Sequence, residues 1–431
     1  METETFGFIV VLGLCLFAAA MVANSRLPHG VKLLVYAGLF FRVIGSWTRH
    51  EVLFDVYRGA GDARVYHRIG LQYAEGFLNL DFTRIFDSNS WHFSRWWGGQ
   101  FMYWVSGFVH TITGPSLLAA FLAFSLLAFI GLAGFGVAFR RSFPHVPVTR
   151  YLRWIWLFPS LWYWPSSVGK EAIMLLGIGL SIAGFIGRKE RINWLLLGLG
   201  MFFIFGIRPQ VGAVVILSLV LGHWLSIGGR WNVQKAFQGV IILGAGLVGI
   251  WFAMQQIGAG GFDIEGVQSY LEDQTGSGSG GGSAIEEVGT GWANIPLALV
   301  NIFFRPFPWE AHNLMALFSA IEIWGMWVIV WFRRKTLWQA LRHFRSDRLL
   351  RVAVPFILVY SVTLGMIIAN LGIIARQRVF LFPFFFILVE AVPRVVHERK
   401  QARLRAAAPP VYAEGLHAGA VPQSLRTSPH R

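Results

Sequence analysis

The chain has little charge and a single cysteine, and each shortage excludes a class of protein. Only 14% of its 431 residues are Asp, Glu, Lys or Arg, whereas soluble domains carry about 25%. Hydrophobic residues make up 55% of the chain, and the mean hydropathy is +0.55. Cys15 stands alone, which excludes an internal disulfide and a cysteine-based metal cluster. The composition is that of a polytopic membrane protein.

Several catalytic signatures are also missing. The sequence contains no serine nucleophile elbow, no P-loop and no metal-binding His pair. The net charge of +15 does not indicate nucleic acid, because the basic residues concentrate at 333–351 and from Arg394 onward, beside apolar runs. This distribution is typical of membrane topology and of contact with anionic headgroups. We therefore expect membrane lipids, and no nucleic acid, as partners.

Apolar runs that approach the length of a membrane span recur along the chain. A spanning helix needs about 17–25 apolar residues. The candidate runs are 7–24, 31–47, 115–139, 151–167, 171–187, 192–207, 211–228, 236–254, 312–332, 351–369 and 378–393. The shorter run Phe101–Thr113 is interpreted as an interfacial or re-entrant helix. The predicted fold is all-α: a transmembrane helical bundle of about 11 spans, or 12 if that run also crosses, over residues 1–393.

The positions of Arg and Lys predict the orientation. Assigning the basic segments between spans to the cytoplasm gives a consistent alternation. The C-terminus then lies in the cytoplasm, and two long loops, about 48–99 and 255–311, lie on the extracytoplasmic face of the inner membrane. Residues 394–431 form a basic tail without apolar periodicity, which we expect to be disordered. Met1–Phe6 contains no basic residue, so the first run is expected to remain as an anchor.

Five short polar motifs interrupt the apolar runs, and this orientation puts all five on the extracytoplasmic side. Ionised groups near a membrane are costly and indicate function. Their convergence predicts the candidate site. The motifs are Gly61–Tyr66, Gly169–Glu171, Arg208–Gln210, Arg305–Glu310 and Asn370–Arg378.

The first motif centres on Asp62. A carboxylate at the membrane surface acts as a general base towards a hydroxyl, or binds a divalent metal beside a phosphate. The alternative is a helix N-cap, for which Asp is well suited. Tyr66 and His67 follow about one helical turn later and are candidate substrate contacts. A divalent cation, Mg²⁺ or Mn²⁺, is the cofactor that this motif suggests, with Asp62 as its ligand.

The second and third motifs supply cations. Lys170 precedes a long apolar helix, and a helix N-terminus already suits a phosphate. Glu171 stabilises the helix dipole and is an alternative catalytic carboxylate. Arg208 lies between two runs, where it binds phosphate or extends to the interface.

The last two motifs come from the second half of the chain. Two prolines stiffen the turn that presents Arg305, Glu310 and His312, which suits an element that closes on substrate. Glu310 is a third candidate catalytic carboxylate. Arg376 and Arg378 lie on the side where the charge rule disfavours them, which indicates an anionic partner such as phosphate.

Two segments resemble a known family. Asp62–His67 is similar to the Asp-containing first-loop motif of GT-C-type, polyprenyl-phosphate-dependent membrane glycosyltransferases, and Phe158–Glu171 resembles the helix-turn-helix that follows it. The resemblance implies that sugars are transferred from a polyprenyl-linked donor to a glycan acceptor on the extracytoplasmic face. It implies a general-base or metal-linked role for Asp62. Lys170, Arg376 and Arg378 would then bind the lipid phosphate.

Other functions stay open. The many spans and paired external arginines also resemble O-antigen-polymerase-type proteins, which join lipid-linked oligosaccharides on the same face. We therefore expect a glycosyltransferase or glycan polymerase of bacterial envelope polysaccharide assembly. The alternatives are a transporter or flippase of lipid-linked glycans, in which the arginines bind phosphate without chemistry, and a non-catalytic scaffold of an envelope complex.

Overall fold

The protein is described by a computed structural model covering residues 2–188, 191–225, 237–241, 244, 292–311, 314–367 and 370–407. Within these ranges every regular element is helical and no strand is present. The predicted all-α class is confirmed.

The α-helices are numbered here in chain order. They are α1 (Glu2–Ala23), α2 (His29–Glu51), α3 (Asp62–Leu78), α4 (Thr83–Phe86), α5 (Gly99–Thr113), α6 (Leu117–Ser142), α7 (Val148–Leu157), α8 (Pro159–Tyr163), α9 (Lys170–Phe185), α10 (Trp194–Ile207), α11 (Pro209–Trp224), α12 (Ile295–Phe303), α13 (Leu314–Arg342), α14 (Arg348–Ile367), α15 (Leu371–Gln377), α16 (Phe382–Glu390) and α17 (Arg394–Ala407).

Five helices in the described ranges are long and apolar enough to cross a membrane. They are Thr5–Ala23, His29–Val56, Leu117–Ser142, Leu314–Arg342 and Arg348–Met366. A sixth is added if Leu371–Phe380 and Phe382–Arg405, which meet at 54°, form one broken span. The membrane character is therefore supported, whereas the predicted 11 or 12 spans are not confirmed.

The difference arises because several predicted spans are interrupted or short. The run 151–167 was expected to be one helix, which is wrong: it divides into α7 and α8 at Phe158, whose ψ is 128°. The following Pro159 disfavours helical backbone at the residue before it. Helices α10 and α11 have only 14 and 16 residues. Most of the predicted span 236–254 lies outside the described residues.

Helices α6 and α9 pack side by side in the same direction through the centre of the molecule. Before α9 begins, Ser166 Oγ lies 2.6 Å from Ser125 Oγ of α6. Near the end of both helices, Arg141 donates to the carbonyl of Ala183 over 3.1 Å. The molecule therefore has two ends: a cluster end, where α9 begins, and a basic end, where α6 and α9 finish.

The basic end gathers several of the Arg-rich segments. Arg348, at the start of α14, lies over the ring of Phe185 at 4.1 Å, and Arg351 donates to the carbonyl of Gly222 at the end of α11 over 2.9 Å. Arg333 of α13 forms a 3.2 Å ion pair at the end of α16. These basic segments thus share one end of the fold, in agreement with their assignment to one side of a membrane.

The start of the C-terminal tail is ordered. Residues 394–407 form α17, so the expectation of disorder is wrong for them. Arg and Ala, which make up seven of these 14 residues, have high helix propensity even without an apolar stripe. Residues 408–431 of the predicted tail lie outside the described ranges.

Candidate functional site

Glu171 lies at the centre of the candidate site. It occupies the first turn of α9, and its side chain is only 1% exposed. Arg376 of α15 contacts both of its oxygens: Nη2 donates to Oε2 over 2.8 Å, and Nε lies 2.8 Å from Oε1, which accepts no hydrogen bond in the described part of the chain. One charge-assisted hydrogen bond and one close ion contact therefore join Arg376 to Glu171.

Arg208 approaches Glu171 from the junction of α10 and α11. Its Nη2 lies 3.7 Å from Glu171 Oε1. Pro209 starts the next helix, directly after this arginine. Nη1 of Arg208 is buried and has no hydrogen-bond partner in the described part of the chain. The Arg208 guanidinium group therefore keeps one nitrogen without a hydrogen-bond acceptor beside the Glu171 carboxylate.

Lys170 adds a third cation. It is the first residue of α9, whose N-cap, Gly169, provides no side-chain hydrogen bond. A Cβ at Gly169 would lie 3.2 Å from Glu171 Oε2 and 3.7 Å from Arg376 Nη2, so a larger residue would crowd the ion pair. Lys170 also lies close enough to Arg208 for their like charges to repel.

Asp62 and Tyr66 complete this group from α3. Gly61 before Asp62 has φ +136°, a conformation that favours glycine. Asp62 is exposed, and its charge attracts that of Lys170. Gly61, and not Asp62, occupies the N-cap position of this helix, so the structure contradicts the N-cap alternative. Tyr66 lies one turn later, is 6% exposed, and is within electrostatic reach of Asp62 and Glu171.

We call this group the Glu171 cluster. Three cations face two carboxylates, which leaves one net positive charge beside the buried Tyr66 hydroxyl. An anion entering the cluster would meet Arg and Lys donors that Glu171 neutralises only in part. The members are Asp62, Tyr66, Lys170, Glu171, Arg208 and Arg376.

The residues of the fourth motif lie near the Glu171 cluster but mainly contact one another. Arg305 pairs with Glu310, with Nη2 2.6 Å from Oε1 and Nε donating to Oε2 over 3.0 Å. Glu310 also accepts from the backbone N–H of Phe307 over 3.0 Å. A carboxylate held by these three contacts is poorly placed to take a proton from a substrate, so the geometry disfavours Glu310 as a base.

Arg378 belongs to this second group and not to the cluster. It is 2% exposed, and its Nη2 donates to the backbone carbonyl of Arg305. It therefore anchors the Arg305 loop, while Arg376 reaches the cluster. The expectation that Arg376 and Arg378 serve one phosphate together is not supported by this arrangement.

His67 faces away from the cluster. Its Nδ1 lies 3.1 Å from Nε2 of His110 on α5. Burial lowers the pKa of His110 to about 4, and the nearby His67 contributes in the same direction. The pair thus joins α3 to α5, and the structure does not bring His67 to the predicted substrate contacts. His312 lies outside the described residues.

Two charged residues near the site were missed from the sequence. Arg49 donates to Ser167 Oγ over 3.3 Å and lies over the ring of Trp164 at 5.4 Å, just before α9. Glu322 accepts from the backbone N–H of Ser160 over 2.6 Å. An ionisable residue inside an apolar span is itself a functional signal, and Glu322 in the run 312–332 carried that signal.

The described residues do not form a metal site by themselves. No three His, Cys, Asp or Glu side chains in these ranges come together as metal ligands would. Asp62 is exposed, whereas Glu171 is engaged by two arginines. Mg²⁺ at Asp62 would need most of its remaining ligands from substrate phosphate and water.

The comparisons with known proteins do not assign this arrangement to a family. No protein-family model matches the chain, and no curated protein or solved structure is significantly similar to it.

Proposed function

We propose that the protein is a membrane-integral glycosyltransferase or glycan polymerase that uses polyprenyl-(di)phosphate-linked sugars, and that the Glu171 cluster binds the lipid phosphate. The main support for this proposal is the convergence of Lys170, Arg208 and Arg376 around one buried carboxylate, beside the exposed Asp62. Arginine forks and lysine suit phosphate oxygens. A carboxylate next to bound phosphate suits proton acceptance from an incoming hydroxyl.

The lengths of the surrounding helices support a lipid-linked substrate. Helices α9, α10 and α11 have 16, 14 and 16 residues, which correspond to about 21–24 Å at 1.5 Å per residue. The hydrocarbon core of a bilayer is about 30 Å thick. With the basic end at one membrane surface, the cluster lies roughly 6–9 Å below the other surface. A phosphate carried by a membrane lipid reaches this depth from the side.

Each residue of the cluster then has a separate role in the proposed reaction. The acceptor hydroxyl oxygen attacks the anomeric carbon of the donor sugar, and Asp62 takes the hydroxyl proton. The bond between that carbon and the phosphate oxygen breaks, and its electron pair leaves with the lipid (di)phosphate. Arg376, Arg208 and Lys170 stabilise the charge that develops there. Glu171 is a positioning residue, because its two contacts fix the Arg376 fork.

The proposal includes an orientation. We place the protein in the inner membrane with the cluster on the extracytoplasmic side and the C-terminus in the cytoplasm, following the positive-inside rule. The basic end supports this choice, since Arg141, Arg348 and Arg351 lie there together. The larger count of 11 or 12 spans belongs to the same proposal. It requires the short helices α9 to α11 to cross as well.

Mass spectrometry of lipid-linked glycans in cells tests the activity. Deleting the gene should cause either single unpolymerised repeats or glycans that lack one sugar to accumulate, and wild-type protein should restore the normal pattern. Asp62→Asn should restore little, because loss of a general base typically costs about 10²–10⁴ in rate. Asp55→Asn changes an exposed carboxylate nearby and is the matched control. Full complementation by Asp62→Asn would refute the assigned chemistry.

A transporter of lipid-linked glycans is the second candidate, and one observation favours it. The pair Leu371–Phe380 and Phe382–Arg405 bends by 54° next to Arg376, and discontinuous helices near bound anions are typical of transporters. In that case deletion should leave complete lipid-linked repeats trapped on the cytoplasmic side. Asp62→Asn should then change transport less than Arg376→Gln does.

A further inference from the structure

A second feature lies at the basic end, far from the Glu171 cluster. Two cavities follow one another along α7. The first, of about 350 Å³, is lined by His145, Arg150, His397 and Lys400 among others. The second, of about 310 Å³, is lined mainly by apolar side chains around Leu157. Arg150 and Leu157 are seven residues apart, so the cavities are separated by about 10 Å along the helix.

The first cavity, which we call the basic cavity, has one wall held by ring stacking and a hydrogen bond, and two exposed cations. The rings of His145 and His397 stack with centroids 4.3 Å apart, and His145 Nε2 lies 2.7 Å from the carbonyl oxygen of Val392. These contacts hold α17 against the start of α7. Arg150 and Lys400 are exposed, and no acidic residue is among the described residues that line this cavity. An anion is the matching occupant.

The N-terminus of α7 also favours an anion in the basic cavity. The helix begins at Val148 after Pro147, and no side chain caps its N-terminus. The first N–H groups of a helix have no partners within it, and the helix dipole favours an anion beside them. Pro147 and Arg150 both line the basic cavity, so these groups lie next to the two exposed cations.

The second cavity, which we call the apolar cavity, suits a hydrocarbon chain. Trp154, Leu157 and Phe158 form its walls. The one carboxylate at its rim, Glu390, is neutralised by Arg333 at 3.2 Å and accepts from Trp154 Nε1 over 2.8 Å. The lining therefore presents mainly apolar surface, although the exposed Arg153 also lines this cavity.

We infer that the two cavities bind one anionic membrane lipid, with its phosphate in the basic cavity and part of an acyl chain in the apolar cavity. Their order along α7 matches that of a lipid, since the basic cavity lies nearer the basic end. The inference is independent of the proposed reaction. The same cations would also accept free phosphate, and the acyl chain distinguishes the two sources.

Native mass spectrometry of the purified full-length protein tests this inference. The ligands are phosphatidylglycerol, phosphatidylcholine with identical acyl chains, and inorganic phosphate. Phosphatidylglycerol should bind at least ten times more tightly than either of the others. Equal binding of the two lipids, or of phosphate and phosphatidylglycerol, would overturn the inference.

Charge variants locate the site. Replacing Arg150 and Lys400 together with glutamine should weaken phosphatidylglycerol binding about 25-fold, or about fivefold for each cation. The control replaces Arg334 and Lys335, which are exposed, lie on α13 and do not line either cavity. It removes the same charge and should weaken binding less than threefold. Equal losses in both double variants would show general surface attraction and no built site.

A third variant tests the acyl chain. Leu157→Trp narrows the apolar cavity and should weaken phosphatidylglycerol binding about tenfold, the equivalent of two buried methylene groups. Phosphate binding should be unchanged. If Leu157→Trp lowers the folded yield, the wild-type protein is measured instead with phosphatidylglycerol that carries six-carbon chains. This short-chain lipid should bind about tenfold more weakly than the long-chain lipid. Indifference to the chain would contradict the assignment of the apolar cavity.

Discussion

Replacing Arg376 with glutamine should destabilise the protein more than replacing its partner Glu171 with glutamine. The two side chains form one ion pair, but their surroundings differ. The Glu171 side chain is 1% exposed and that of Arg376 is 31% exposed. Loss of Arg376 leaves a buried carboxylate whose remaining cations are Arg208, at 3.7 Å, and Lys170. Loss of the Glu171 charge leaves arginines that water still reaches.

The structure sets the expected magnitudes. Removing one partner of a buried ion pair costs about 3–5 kcal/mol, and this range applies to Arg376→Gln. Glu171→Gln keeps the side-chain shape and loses charge-assisted hydrogen bonds of about 1.5–3 kcal/mol, with partial relief from solvent at Arg376. The double variant removes both charges together. It should therefore lose about 0.5–3 kcal/mol less than the sum of the single losses.

Equilibrium unfolding in mixed detergent, followed by tryptophan fluorescence, measures these free energies. Arg68→Gln and Glu75→Gln replace exposed residues of α3 and control for the change in net charge. Each control should stay within about 0.5 kcal/mol of the wild type. If Glu171→Gln costs as much as Arg376→Gln, or if the two effects simply add, the assigned burial and coupling of this pair are wrong.

Three further predictions follow from the site. Asp62→Ala should leave the folded yield, measured by size-exclusion chromatography, unchanged because the N-cap of α3 is Gly61 and not Asp62; reduced yield would restore the cap interpretation. In a Cys15→Ala background, a cysteine at Asp62 should react with an impermeant thiol reagent in intact cells and one at Arg342 only after permeabilisation; the reverse would invert the orientation. Arg49→Gln should weaken polyprenyl-phosphate binding about fivefold through lost attraction, measured against Arg26→Gln as the control; equal effects would exclude Arg49 from the site.

The convergence of the polar motifs followed from the sequence, because one charge rule put them on the same side of the membrane. Asp62, Lys170, Arg208 and Arg376 come from separate segments and do meet around Glu171. The sequence also indicated Tyr66, since it lies four residues after Asp62 and hence on the same face of a helix.

Helical geometry explains the residues that were assigned incorrectly. Arg376 and Arg378 are two residues apart, which turns their side chains about 200° away from each other in a helix. They therefore contact different groups. His67 lies five residues after Asp62, which is about 140° around α3, and it faces α5. Paired arginines suggested a shared phosphate, but the spacing already disfavoured it.

Hydropathy alone could not predict the number of spans. An apolar count treats 151–167 as one helix, whereas backbone geometry before Pro159 divides it. Arg49 and Glu322 were missed for a related reason. Neither residue belongs to one of the five polar motifs, and their contacts with Ser167 and Ser160 depend on tertiary packing.

Binding of polyprenyl phosphate to the purified protein tests the central claim most directly. Wild-type protein should bind the lipid, and Arg376→Gln should weaken the affinity about ten- to a hundredfold, the effect of one lost charge-assisted hydrogen bond. Arg378→Gln should change it less than threefold, because Arg378 holds the backbone of Arg305. Equal affinities for the wild type and Arg376→Gln, or equal losses in both variants, would contradict the Glu171 cluster as the lipid-phosphate site.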